Sequence, residues 1–194
     1  MLWFVAALGV WMLAHTVYPS IWAYFAIAAY GFDAKDIGLA LAVVGVSSAL
    51  VQGLGLRWVA PRLGERGAVL LGIAGFLASV ALYAVATTIP MIYTAILVGG
   101  LQGFIGPSIS ALNSRAIDAK SQGELQGASQ AIGSIASIVG PPLYAGVFAQ
   151  FSGPRAIAQF PAAPLIVAGA FSLVTLALFL GGERRLPARV AAPA

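Results

Sequence analysis

An all-α, polytopic membrane fold follows from three features of this chain: its long apolar runs, its shortage of charge, and the placing of the few charges it has. Six apolar stretches fill the 194 residues, at about 2–29, 37–56, 68–87, 91–112, 125–151 and 164–182. A helix needs about 20 apolar residues to cross the hydrocarbon core of a bilayer, and each run reaches or approaches that length. The chain is 60% hydrophobic, with a mean hydropathy of +0.95. Only 8% of residues are charged, against about 25% in a soluble domain, which excludes an ordinary water-facing core.

The first stretch carries no charge. It lacks the basic start of a signal peptide and outruns a typical signal h-region, so it reads as a retained helix. At 1.5 Å per residue it extends to about 42 Å, so it has to tilt or bend, and Pro19 is the expected bend. Asp33, Lys35 and Asp36 precede the second stretch, and a basic loop with Arg57, Arg62, Glu65 and Arg66 follows it. A short turn, Thr88 to Pro90, separates the third and fourth. The next loop holds Arg115, Asp118, Lys120 and Glu124. Ser121 and Glu124 have the spacing of a capping box opening the fifth stretch, which contains Pro141 and Pro142. A loop with Arg155 leads to the sixth stretch, and residues 183–194 form a basic tail.

Six crossings put both termini and the loops after the second and fourth stretches on one side. That side holds eight basic residues, Arg57, Arg62, Arg66, Arg115, Lys120, Arg184, Arg185 and Arg189, and the other holds two, Lys35 and Arg155. Basic residues favour the cytoplasmic side, so both termini are expected in the cytoplasm of a cell (inner) membrane protein. The net charge of +4 is accounted for by topology and needs no nucleic-acid partner.

Two helical faces combine small and polar residues. One carries Gln126, Gln130, Gly133, Ser137 and Tyr144; the other Gly45, Ser48, Gln52 and Gly55. Small residues let membrane helices approach closely and polar ones bond across, so these faces either pack against helices or line a polar path. No Asp, Glu, Lys or Arg lies deep in a stretch. His15 is the one embedded titratable group besides tyrosines, which makes it a functional candidate. Trp11, His15, Tyr18 and Trp22 share its face, as an aromatic stripe with polar handles. Gln102, Gly106, Ser110 and Asn113 form a second candidate lining, in the fourth stretch. Cysteine is absent and there is one histidine, so no metal site or cofactor is expected. No nucleophile elbow, phosphate loop or dinucleotide fingerprint appears, and the chain reads as no enzyme.

The segment Gly55-Leu-Arg57-Trp-Val-Ala-Pro61-Arg62-Leu-Gly64-Glu65-Arg66 resembles the basic loop after the second helix of each half of major facilitator superfamily transporters. Its usual form is Gly, three residues, Asp-Arg, one residue, Gly-Arg. Arg62, Gly64 and Arg66 fit the basic end, and Pro61 stands where the acid would be. Together with Asn113-Ser-Arg115, Gln122-Gly-Glu124-Leu-Gln-Gly127 and Ser137-Ile-Val-Gly-Pro141, it is similar to the C-terminal half of the tetracycline-efflux branch, over about Val17 to Gly182.

The resemblance implies one six-helix half of a twelve-helix fold, made of inverted three-helix repeats. It would place the first and fourth helices on a central cavity, making Tyr18, Trp22, Gln102 and Ser110 lining. The second and fifth would pack on the other half, and the third and sixth would face lipid. It further implies efflux of a small molecule coupled to protons, with an N-terminal half or a second copy as partner. Tetracycline exporters often carry a His and a buried acid at positions that correspond to Ser48 and Gly75. The alternative reading is a membrane interaction protein derived from such a half.

Overall fold

The computed structural model describes residues 2–115, 118, 121–153 and 156–184. Lys120, Arg155, Arg185, Arg189 and most of the basic tail lie outside the described residues. The described residues form helices and no strand. Six of these helical segments are long and apolar enough to cross a membrane.

The first span, Leu2–Tyr30, consists of α1 (Leu2–His15) and α2 (Val17–Tyr30), broken at Thr16. The bend thus lies one turn before Pro19, the expected position. Proline lacks an N–H, and its ring crowds the carbonyl four residues earlier, here that of His15. Thr16 and Ser20 settle the broken turn: Thr16 Oγ1 donates to the Leu13 carbonyl at 2.7 Å and Ser20 Oγ to that of Thr16 at 2.5 Å. Gly31, at φ 68°, closes α2 in the left-handed conformation that suits glycine.

The second span runs through α3 (Ala34–Leu50) and a π-helical turn, Val51–Gly55. Its start is a capping box: the Asp36 amide donates to Asp33 and the Asp33 amide to Asp36. In α4 (Leu56–Val85) the chain turns at Gly64, whose φ of 65° and ψ of 175° belong to a region open essentially to glycine alone. That turn lies inside the basic loop, between Arg62 and Glu65, just before the third span. The fourth span contains α5 (Ile89–Gly99), a 3₁₀ segment Gly100–Phe104 and α6 (Ile105–Arg115). The fifth is α7 (Gln122–Phe151) and the sixth α8 (Ala163–Glu183).

One sequence expectation fails at α7. Ser121 makes no capping hydrogen bond. Gln122 closes that loop instead: its Nε2 donates to the Ser114 carbonyl at 2.9 Å, and Ser114 Oγ donates to its Oε1 at 2.7 Å. Spending the loop's polar contacts this way leaves Ser121 at φ −95°, ψ 2°, outside the extended geometry typical of a capping residue.

Packing follows a crossed pattern. The first span packs on the fifth and sixth, and the fourth packs on the second and third. Each leading helix of one triplet is therefore held by the last two helices of the other, as expected of interlocked inverted repeats. Close approach between the third and fourth spans runs through Gly72 and Gly75, which face Leu101 and Ile105. The third span is the most enclosed: 50% of its apolar window is buried, against 11% for the second span and 17% for the fifth.

Candidate functional site

A cavity of about 1270 Å³ lies between the spans. Its wall on the first span is the aromatic stripe. Trp11 and His15 stand 5.9 Å apart between ring centroids, and His15 and Tyr18 6.0 Å. Phe76 of the third span fixes this stripe from behind, with edge-to-face contacts to Trp11 at 5.2 Å and to Tyr18 at 5.9 Å. Such contacts orient rings as well as bury them. Trp11 and Trp22 are each 5% exposed, whereas His15 is open to the cavity.

The bend at Thr16 is gripped by the fifth span. Tyr144 Oη donates to the Leu13 carbonyl at 3.0 Å. A Cβ on Gly140 would overlap Thr16, so only glycine lets α7 come this close. The same helix brings Gly133 against the Met12 sulfur.

On the fourth span, the 3₁₀ segment carries Gln102 and the glycines Gly100 and Gly103 to the cavity. Gly100 faces Ser47, and Gly103 faces Val51 and Gln52 next to the π-helical turn. Two atoms at this end are buried without a hydrogen bond: Tyr18 Oη and Gln102 Oε1. Ser79 and Gln102 adjoin the Tyr18 hydroxyl without aligning to satisfy it. Ser79 Oγ instead donates to the Ala95 carbonyl at 2.8 Å.

His15, Tyr18, Trp22 and Gln102 are therefore brought together in one cavity, while Ser110 and Asn113 are not. Ser110 is exposed outside it, and Asn113 is buried, 1% exposed, with neither amide atom hydrogen-bonded. The reason lies in the winding. A 3₁₀ turn advances about 20° more per residue than an α-helix, so after the stretch through Phe104 the face of Gln102 drifts: Gly106 and Pro107 still line the cavity, and Ser110, one turn on, has left it. Ser48, Gln52, Gln130, Gly133 and Ser137 all line the cavity; Gly45 and Gln126 stand exposed outside it. Ser47, Ser79 and Tyr83 also line it, and serine and tyrosine residues dispersed in apolar runs give no signal in sequence.

Two ion pairs hold the basic loop. Glu65 pairs with Arg115 at 2.5 Å and Arg66 with Glu183 at 3.2 Å. Arg62 lies over the Trp58 ring, 4.9 Å from its centroid. The loop is thereby tied to the ends of the fourth and sixth spans. Glu124 is exposed in the first turn of α7, where its charge favours the helix N-terminus. None of the residues that line the cavity is Asp, Glu, Lys or Arg.

Comparison with known proteins agrees with this architecture. The chain is 30% identical over 129 residues to the class E tetracycline resistance protein of Escherichia coli, covering 66% of this chain and 32% of that protein. It is 32% identical over 137 residues to the class C protein of the same organism, covering 71% of this chain and 35% of that one. The human hippocampus abundant transcript 1 protein is 29% identical over 117 residues, 60% of this chain and 24% of its own length. The chain thus spans about a third of the length of the bacterial relatives it matches. The sequence model described as Major Facilitator Superfamily matches residues 2–193, and the chain, a multi-pass all-helical membrane protein, belongs to that family.

Proposed function

We propose that this chain supplies the C-terminal half of a small-molecule efflux transporter of the cell (inner) membrane, working by alternating access and coupled to protons. The observation that carries this reading is the aromatic cavity, free of Asp, Glu, Lys and Arg, lined by the first five spans. Its walls on the second and fifth spans are the least buried of the bundle, as surfaces awaiting a facing half would be. An N-terminal half or a second copy of this chain closes the cavity in this reading. Resemblance to proteins named for tetracycline resistance supports efflux. The positive-inside balance supports cytoplasmic termini.

Proton coupling falls to the facing half, because the cavity wall here holds no carboxylate. At Gly75 a Cβ would sit 2.6 Å from Leu101 Cβ and 3.0 Å from the Val98 carbonyl. The acid of tetracycline exporters therefore has no room at this position, and the substrate is a small molecule other than one that needs that acid.

The test begins with the assembly state of the purified chain in mild detergent, by light scattering corrected for bound detergent. The assembled form is then placed in proteoliposomes with an imposed pH gradient. Drug movement that stops with a proton ionophore is the expected result. Absence of gradient-driven movement, both for the chain's own assembly and for the chain joined to an N-terminal half of the same family, would sink the proposal.

A further inference from the structure

We propose that Tyr18 and Gln102 are the recognition point of this cavity, and that they select a neutral, flat, hydrogen-bond-donating ligand. This rests on the cavity being the substrate site. Two observations carry it. First, Tyr18 Oη and Gln102 Oε1 are both buried and unpartnered, and both belong to residues that line the cavity. A buried acceptor without a donor is destabilising, and a ligand N–H or O–H relieves it. The Ser79 hydroxyl donates to the Ala95 carbonyl and so to neither atom, and Tyr18 Oη and Gln102 Oε1, though neighbours, are not hydrogen-bonded to each other.

Second, the surroundings reward a flat apolar body and penalise charge. Trp11, Trp22 and Tyr83 offer ring faces and edges around the two atoms. This wall has no Asp, Glu, Lys or Arg, so an ionic ligand seated against it loses hydration and finds no counter-ion on this side. A carbonyl oxygen such as Gln102 Oε1 only accepts, so the ligand has to donate there, while the Tyr18 hydroxyl takes either role.

The test uses the full chain in lipid nanodiscs and follows quenching of tryptophan fluorescence by three probes of similar size. 2-Aminoanthraquinone is neutral and donates, anthraquinone is neutral and does not, and ethidium is permanently cationic. A W22F variant locates the signal in the cavity. The expected result is that 2-aminoanthraquinone binds about tenfold more tightly than either comparator. That advantage over anthraquinone disappears in Gln102→Leu and shrinks in Tyr18→Phe, a change that removes one oxygen and keeps the ring. The comparison of probes on the unaltered chain holds even where a variant fails to fold. Equal binding of the two anthraquinones, or ethidium binding as tightly as the amine, overturns this inference and leaves the cavity as a binding site. If none of the probes quenches the cavity tryptophans, the reading of the cavity as a substrate site falls, and this inference with it.

Discussion

The contact between the third and fourth spans makes a sharp quantitative prediction at Gly75. Replacing it with alanine introduces a Cβ 2.6 Å from Leu101 Cβ, 3.0 Å from Leu101 Cδ1 and 3.0 Å from the Val98 carbonyl oxygen. Carbon atoms prefer about 3.5–4.0 Å, so the two helices have to part by on the order of 1 Å. Leu101 Cβ and the Val98 carbonyl are fixed to backbone and cannot swing aside. Overpacking of this kind costs about 1–3 kcal/mol. Alanine also gains about 0.8–1.0 kcal/mol over glycine in helix propensity, so Gly75→Ala alone mixes two effects of opposite sign. Gly146→Ala separates them, because Gly146 lies within α7 with nothing within 4 Å of its would-be Cβ. The propensity gain is common to both, and the difference between the variants isolates the clash at about 1–3 kcal/mol. Equilibrium unfolding in mixed micelles of increasing dodecyl sulfate, followed by tryptophan fluorescence, measures it. If the two variants agree within about 0.5 kcal/mol, a scale on which independent sites already scatter, helix approach through Gly75 is not the tight contact described.

Further outcomes follow from the same contacts. Tyr144→Phe loses the hydrogen bond to the Leu13 carbonyl and should destabilise the bundle by about 0.5–1.5 kcal/mol; the same unfolding assay checks it, and no change refutes the grip on the bend. Pro19→Ala restores a backbone donor beneath the bend at Thr16, so spin labels at both ends of the first span should move apart, while an unchanged separation shows that α7 alone imposes the bend. The Glu65–Arg115 pair is partly exposed, at 22% and 51% of the respective side chains, so a double-mutant cycle should give a coupling of about 0–1 kcal/mol that weakens with salt. A coupling above about 2 kcal/mol points to a desolvated pair and contradicts that exposure. Gly64→Ala places a side chain at φ 65°, ψ 175° and should cost about 1–3 kcal/mol, read as faster trypsin cleavage at Arg62 and Arg66, with little change at those sites for Gly38→Ala in α3, where an added Cβ meets nothing within 4 Å.

The six spans were legible in the sequence because apolar length and the spacing of charges are direct consequences of the bilayer. The aromatic stripe was legible too, since Trp11, His15, Tyr18 and Trp22 keep helical spacing on both sides of the bend. What escaped were the roles of Phe76, Ser79 and Tyr83, which come from a span that is apolar on all sides and so offers no periodicity to read. Ser110 escaped for the opposite reason: its spacing from Gln102 was sound for an α-helix, but the 3₁₀ segment changed the pitch. The capping box expected at Ser121 did not form, because Gln122 closes that loop on Ser114, whereas the one that did form, at Asp33 and Asp36, was not read from the sequence.

The crossed packing also bears on how the molecule is made. The first span meets the third early, through Phe76 and Tyr83, but its main partners in this bundle, the fifth and sixth spans, come only after the chain has been extended past Gln122. Until then much of its surface has to reside in lipid, and it is the least apolar of the six. Its 29 residues are more than a single crossing needs, and that surplus length offsets the polarity of His15, Thr16 and Ser20. Mutations that polarise the stripe should therefore act first on membrane insertion during synthesis, before any ligand is met, and a drop in the yield of inserted protein would precede a change in binding.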